Sequence, residues 1–147
     1  MAMRNKKIKN ALPKEYDGIK FKSKFEVEAY KKLKENGFLP IYEGEKAILF
    51  NGFHPDRPWY QDGEPVLTPN GKIKKLLDWN YSPDFKLSIN DFDVYIEIKG
   101  FPNDVYPYKR KMFLQQINGK KALFFEVKDM NGLLKTIERL KDVTTFV

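Results

Sequence analysis

The sequence predicts an α/β domain, a mixed central β-sheet flanked by helices. Three observations predict it. Helical spacing of apolar residues appears near both ends of the chain, extended segments meet at a tight turn in the middle, and an apolar run, ALFFEV, follows a further helical stretch. The order helix, antiparallel strands, helix, strand, helix is expected when the last strand reaches a parallel neighbour through a crossover helix. At 147 residues, 41% of them hydrophobic, the chain suits one domain that buries roughly two-thirds of its unfolded surface.

Residues 1–15 read as a flexible basic arm and 16–147 as a single domain. YDGIKF (Tyr16 to Phe21) is a turn followed by a short extended piece. SKFEVEAYKKLKENG (Ser23 to Gly37) is an amphipathic helix with Ser23 as N-cap and Gly37 as its stop. EKAILF (Glu45 to Phe50) is a strand. The Pro- and Gly-rich segment at about 51–71 is an insertion of loops with a possible hairpin, and it carries His54, Trp59 and Tyr60. A strand then covers Ser82 to Ile89, NDFD turns the chain, and VYIEIKG returns antiparallel as a second strand. Pro107 to Gly119 is a helix with proline in its first turn. Ala122 to Val127 is a buried strand, and Asn131 to Val143 a closing helix on Leu133, Leu134, Ile137 and Leu140.

Composition excludes several classes of function. There is no cysteine and only one histidine, His54, so thiolate sites and multi-histidine zinc sites are ruled out. A metal here would be a hard cation held by oxygen. No apolar run spans a bilayer and MAMRNKKIKN has no apolar signal core, which predicts a cytoplasmic protein with no membrane partner. The formal net charge is +7, which favours an anionic partner. Residues 1–22 hold five of those charges, however, with seven lysines and arginines set against Glu15 and Asp17. A basic tail is more often solvated than specific.

Four residues stand out for chemistry. Glu26 lies three residues after Ser23, which is the spacing of a capping box. At about 100° per residue it also falls among Phe25, Ala29, Tyr30 and Leu33, where a carboxylate is unfavourable unless paired or bound to metal. Asp84 follows Pro83, which is ordinary turn chemistry. Glu97 and Lys99 share one face of a strand whose Val94, Ile96 and Ile98 share the other, as an exposed ion pair also would. Singly each has a plain structural explanation. Together, a hairpin that sets Asp84 beside Glu97, with Lys99 two residues on and Glu26 inward on a preceding helix, collects the carboxylates that Mg²⁺ or Mn²⁺ requires.

SKFE, SPDF and EIKG, in that order, resemble the PD-(D/E)xK nuclease superfamily, and especially small phage endonucleases of the junction-resolving kind. The similarity covers Tyr16 to Val127. It implies a restriction-endonuclease-like core and metal-dependent hydrolysis of DNA phosphodiester bonds, in a phage-derived protein acting in the host cytoplasm on branched or structured DNA. Carried residue by residue, it makes Asp84, Glu97, the Ile98 carbonyl and Glu26 metal ligands, directly or through water, with Lys99 assisting the attacking water. It also implies that the helix after the ExK strand lies along DNA, presenting Lys109, Arg110 or Lys111 and Gln115 or Gln116. A junction cutter needs two active sites, which makes a homodimer a conditional expectation. A nucleic-acid-binding accessory protein without turnover on the same fold is the alternative, and a small basic protein-interaction module a third reading. The insertion at 51–71 departs from a minimal nuclease of this type, as a substrate-reading loop, a dimer contact or an embellishment.

Overall fold

The computed structural model describes residues 14–100 and 103–142. The basic arm lies outside them up to residue 13, and so does Val143 at the expected end of the last helix. Lys14 and Glu15 belong to a strand rather than to the arm. The described residues divide into two compact units, one made of those up to Glu45 and from Ser82 onward and the other of Lys46–Tyr81.

In the first unit β1 (Lys14–Tyr16) and β2 (Ile19–Phe21) form a hairpin. Asp17 and Gly18 turn it with positive φ at both positions, the type I′ geometry that matches strand twist. Helix α1 (Lys24–Glu35) begins where the Ser23 hydroxyl accepts the Glu26 amide, and ends before Gly37 at φ +85°. A four-stranded sheet runs in the order β10-β9-β8-β3, with β3 Ile41–Tyr42, β8 Phe85–Ile89, β9 Phe92–Ile98 and β10 Ala122–Val127. Strands β8 and β9 pair antiparallel across Asn90 and Asp91, both at positive φ; the turn is these two residues and β9 therefore begins at Phe92. Helix α2 (Tyr106–Ile117) makes the crossover to β10, which pairs parallel with β9. Helix α3 (Met130–Lys141) is N-capped by the Asp129 side chain. The architecture is mixed α/β, and no helix among the described residues is long and apolar enough to cross a membrane.

The core lies on one face of this sheet. Phe85, Leu87, Val94, Ile96 and Val127 pack with Ala29 and Leu33 of α1 and with Leu133, Ile137 and Leu140 of α3. The opposite face carries Tyr95 and Phe124, against which Phe113 of α2 packs edge-on at 5.0 Å and tilted at 5.9 Å between ring centroids. Strand β10 ends the sheet order and is half-buried apart from Val127, whereas its apolar run suggested full burial. An edge strand keeps one side open, and hydropathy alone does not reveal which strand is at the edge. Leu133 is fully buried between sheet and helix. Leu133→Ala is expected to lower the free energy of unfolding by about 3 kcal/mol, read as a lower urea midpoint at unchanged slope.

The second unit is wider than the compositional segment at 51–71. Strand β4 (Ala47–Phe50) pairs antiparallel with β7 (Trp79–Tyr81) across a register shift between Ile48 and Phe50. The continuous strand expected over Ser82–Ile89 starts only at Phe85, and β7 ends just before it, in this other unit. Inside that pair sit the bridge Phe53 to Leu76, the bridge Leu67 to Ile73, and the hairpin of β5 (Tyr60–Gln61) and β6 (Glu64–Pro65). Gly52 is required by close approach: a Cβ there would sit 2.3 Å from the Leu76 carbonyl oxygen. Its amide donates to Asp78 Oδ1 at 2.6 Å. Trp59, Tyr60 and His54 are exposed on this unit.

Candidate active site

The alternation of β8 and β9 creates the site. Phe85 pairs with Ile96 on the core face, so one step outward Asp84 stands beside Glu97 on the other face. Both carboxylates are buried, at 8% and 6% exposure. Asp84 Oδ2 accepts the Ile98 amide at 2.7 Å, and its carbonyl accepts the Glu43 amide at 2.8 Å. Burial pushes the Asp84 carboxyl up to about 8, and the Glu97 charge adds to this; the Ile98 amide opposes it and Glu26 contributes a further upward push. Two carboxyl groups side by side in a dry setting hold a proton or attract a cation.

The ladder also fixes where the Ile98 carbonyl points. In parallel pairing only alternate residues of a strand bond to a given neighbour, and the Lys99 amide donates to the Val127 carbonyl at 2.8 Å. The peptide groups of Ile98 therefore face the opposite edge, where its amide meets Asp84. Its carbonyl lies on that same edge. Lys99 Nζ stands 4.0 Å from Glu97 Oε2 and 4.7 Å from the centroid of the Tyr106 ring, a cation–π distance.

Glu26 has the inward aim that its helical phase predicts, and Ser23 is the N-cap, but the carboxylate bonds to the Ser23 hydroxyl and to Tyr42 in place of the Ser23 amide that a capping box would engage. It is 7% exposed, Ser23 Oγ donates to its Oε2 at 2.7 Å, and Tyr42 Oη donates to its Oε1 at 2.7 Å. The cap and the inward aim coexist because the helix starts at the end of the sheet, where Tyr42 of β3 meets it. Each of its oxygens accepts one hydrogen bond, and its charge pushes the Asp84 carboxyl up. Among the described residues no group of three or more His, Cys, Asp or Glu side chains is placed to hold one metal ion. The structure brings together Asp84, Glu97, Ile98 and Lys99, and sets Glu26 beside them.

No protein-family model matches the chain, and neither does any curated protein or solved structure.

Sequence reasoning missed a second layer around Lys99. Glu126 on β10 pairs in register with Glu97 and shares its face. Tyr106 Oη donates to Glu126 Oε1 at 2.7 Å and Arg110 at 2.8 Å. Burial acts to raise the Glu126 carboxyl, but these two donors outweigh it and hold it below the usual range. The signal was present: Glu126 interrupts an apolar strand in the same phase as Glu97. Lys22 and Glu43, ion-paired at 2.6 Å, were missed as well. Neither belongs to a recognisable motif.

The five residues expected along DNA do not share a face. Arg110 turns inward to Glu126 with Tyr106 and Phe113, the buried side of α2, so it is a structural clamp rather than a free reader. Lys111 and Gln115 are exposed on the outer side, while Lys109 and Gln116 flank it.

Proposed function

We propose that this chain is a metal-dependent endonuclease that hydrolyses DNA phosphodiester bonds, with a restriction-endonuclease-like core and a preference for branched or structured DNA. The observation that carries the reading is the buried Asp84–Glu97 pair with Lys99 on the same face of the sheet. A binding protein gains nothing from burying two mutually repelling carboxylates, whereas a hard divalent cation requires them. The donors available, two carboxylates and the Ile98 carbonyl, are all oxygen and fit Mg²⁺ or Mn²⁺. Bound there, the metal would polarise a phosphoryl oxygen and acidify a water.

The chain's own residues supply the rest. Asp84 and Glu97 would hold the cation, and the Ile98 amide fixes the rotamer of Asp84. Lys99 orients the attacking water and offsets charge gathering on the phosphate. Glu26, fixed by Ser23 and Tyr42, adds negative potential beside the cation site. The exposed side of α2 carries Lys111 and Gln115 towards the backbone of the nucleic acid. Lys111→Ala is expected to weaken duplex binding about 2- to 5-fold with a shallower salt dependence, whereas Arg110→Ala mainly lowers the melting temperature by uncovering Glu126. Fluorescence anisotropy across a salt series, with thermal melts, separates the two.

The deciding experiment is incubation with supercoiled plasmid, linear duplex and a four-way junction in Mg²⁺, Mn²⁺ or EDTA. Cleavage in metal and none in EDTA is expected, fastest on the junction. Binding with no cleavage in any metal would show a non-catalytic nucleic-acid-binding accessory protein instead. For a junction cutter with paired sites, sedimentation should give a homodimer.

A further inference from the structure

The cluster contains one cation that the proposed chemistry leaves unused. Lys22 follows β2 directly, and its backbone amide donates to Tyr42 Oη at 3.2 Å, the same hydroxyl that donates to Glu26. Its ammonium lies 2.6 Å from Glu43 Oε1. Glu43 adopts a left-handed φ of +46°, uncommon for a residue with a side chain, and its amide donates to the Asp84 carbonyl. The backbone that carries this ion pair is thus tied directly to the backbone of Asp84. Glu43 raises the hold of Lys22 on its proton, burial works against that, and the fields of Asp84 and Glu26 add to it. All three carboxylates therefore act on this one ammonium, yet 73% of its side chain remains open to solvent.

We propose that Lys22 is an exchangeable counter-ion of the site: it neutralises Glu43 beside Asp84 until a divalent cation binds, and then turns outward to contact a substrate phosphate. The proposal rests on the metal-nuclease reading and names a residue which that reading does not require. An ammonium and a dication compete for the same negative potential, so removing one strengthens the other. A lysine freed from its carboxylate is a point-charge partner for phosphate.

The two halves predict opposite signs for one substitution. Lys22→Met is expected to tighten Mn²⁺ binding by about 3- to 10-fold in calorimetry, without any substrate present. The same change is expected to weaken binding of a cleavage-resistant phosphorothioate duplex by about 3- to 10-fold in Mn²⁺, and by less than about 2-fold in EDTA. Glu43→Gln should weaken Mn²⁺ binding and shrink the effect of Lys22→Met in the double variant. Lys22 is exposed, so circular dichroism should show both proteins folded alike. Unchanged or weaker Mn²⁺ affinity in Lys22→Met overturns the proposal while leaving the nuclease reading standing. An equal loss of duplex affinity in Mn²⁺ and EDTA also overturns it, since that is how an ordinary surface lysine behaves. Wild-type protein that binds no Mn²⁺ overturns both together.

Discussion

Lys99→Ala is expected to reduce metal-dependent cleavage by at least about 100-fold while leaving the fold and the metal affinity near wild type. The ammonium is 24% exposed at the end of β9 and rests on the Tyr106 ring, so its removal leaves no cavity in the main core. Glu97→Ala should lose cleavage to the same extent, and metal affinity with it, because it removes a proposed ligand. Single-turnover cleavage of a four-way junction, paired with Mn²⁺ calorimetry, distinguishes the two roles. Equal loss of metal binding in both variants would make Lys99 a support for Glu97 rather than a partner of the water.

The second large effect belongs to Asp84. Its carboxyl is raised from an ordinary 3.8 to about 8, by burial first and Glu97 next. Well below pH 3.8 the group is protonated in both folded and unfolded chains and costs the fold nothing. As pH rises towards 8 the unfolded chain ionises while the folded one retains its proton, so metal-free wild type loses stability across that window; above it the deficit stays constant. Asp84→Asn cannot ionise, and its amide oxygen can still accept the Ile98 amide. The variant is therefore expected to match wild type near pH 3 and to exceed it by several kcal/mol at pH 8 in EDTA, while showing no cleavage. Adding Mn²⁺ should close the gap by stabilising wild type alone. Chemical denaturation at the two pH values, with and without metal, reads all of this. A difference independent of pH would mean that Asp84 is not destabilised by its surroundings.

Much of this site is written in local pattern. Ser23 and Gly37 bracket α1 because a hydroxyl satisfies a free amide and a glycine accepts positive φ. The alternation of VYIEIKG places Glu97 and Lys99 together whatever the sheet does elsewhere. The inward aim of Glu26 follows from helical periodicity alone. Local pattern is less informative about extent: Ser82 to Ile89 reads as one strand, but Ser82, Pro83 and Asp84 are irregular, and only a partner strand determines where a ladder begins. The independent unit at Lys46–Tyr81 was hidden for a similar reason. Its bounds are set by the pairing of β4 with β7, whose members lie some thirty residues apart in the chain.

What the sequence determined by itself is the α/β order of elements, the caps, the two faces of β9 and the four side chains of the candidate site. Each of these depends on neighbours within a few residues, where periods of 3.6 and 2 govern direction. Only the tertiary structure decided which of them meet. It placed Asp84 against Glu97 and Glu26 against Tyr42, turned Arg110 inward to Glu126, and brought Lys22 and Glu43 to the edge of the site. Those choices depend on strand register and on the burial of charge, and both arise only when segments distant in the chain pack together.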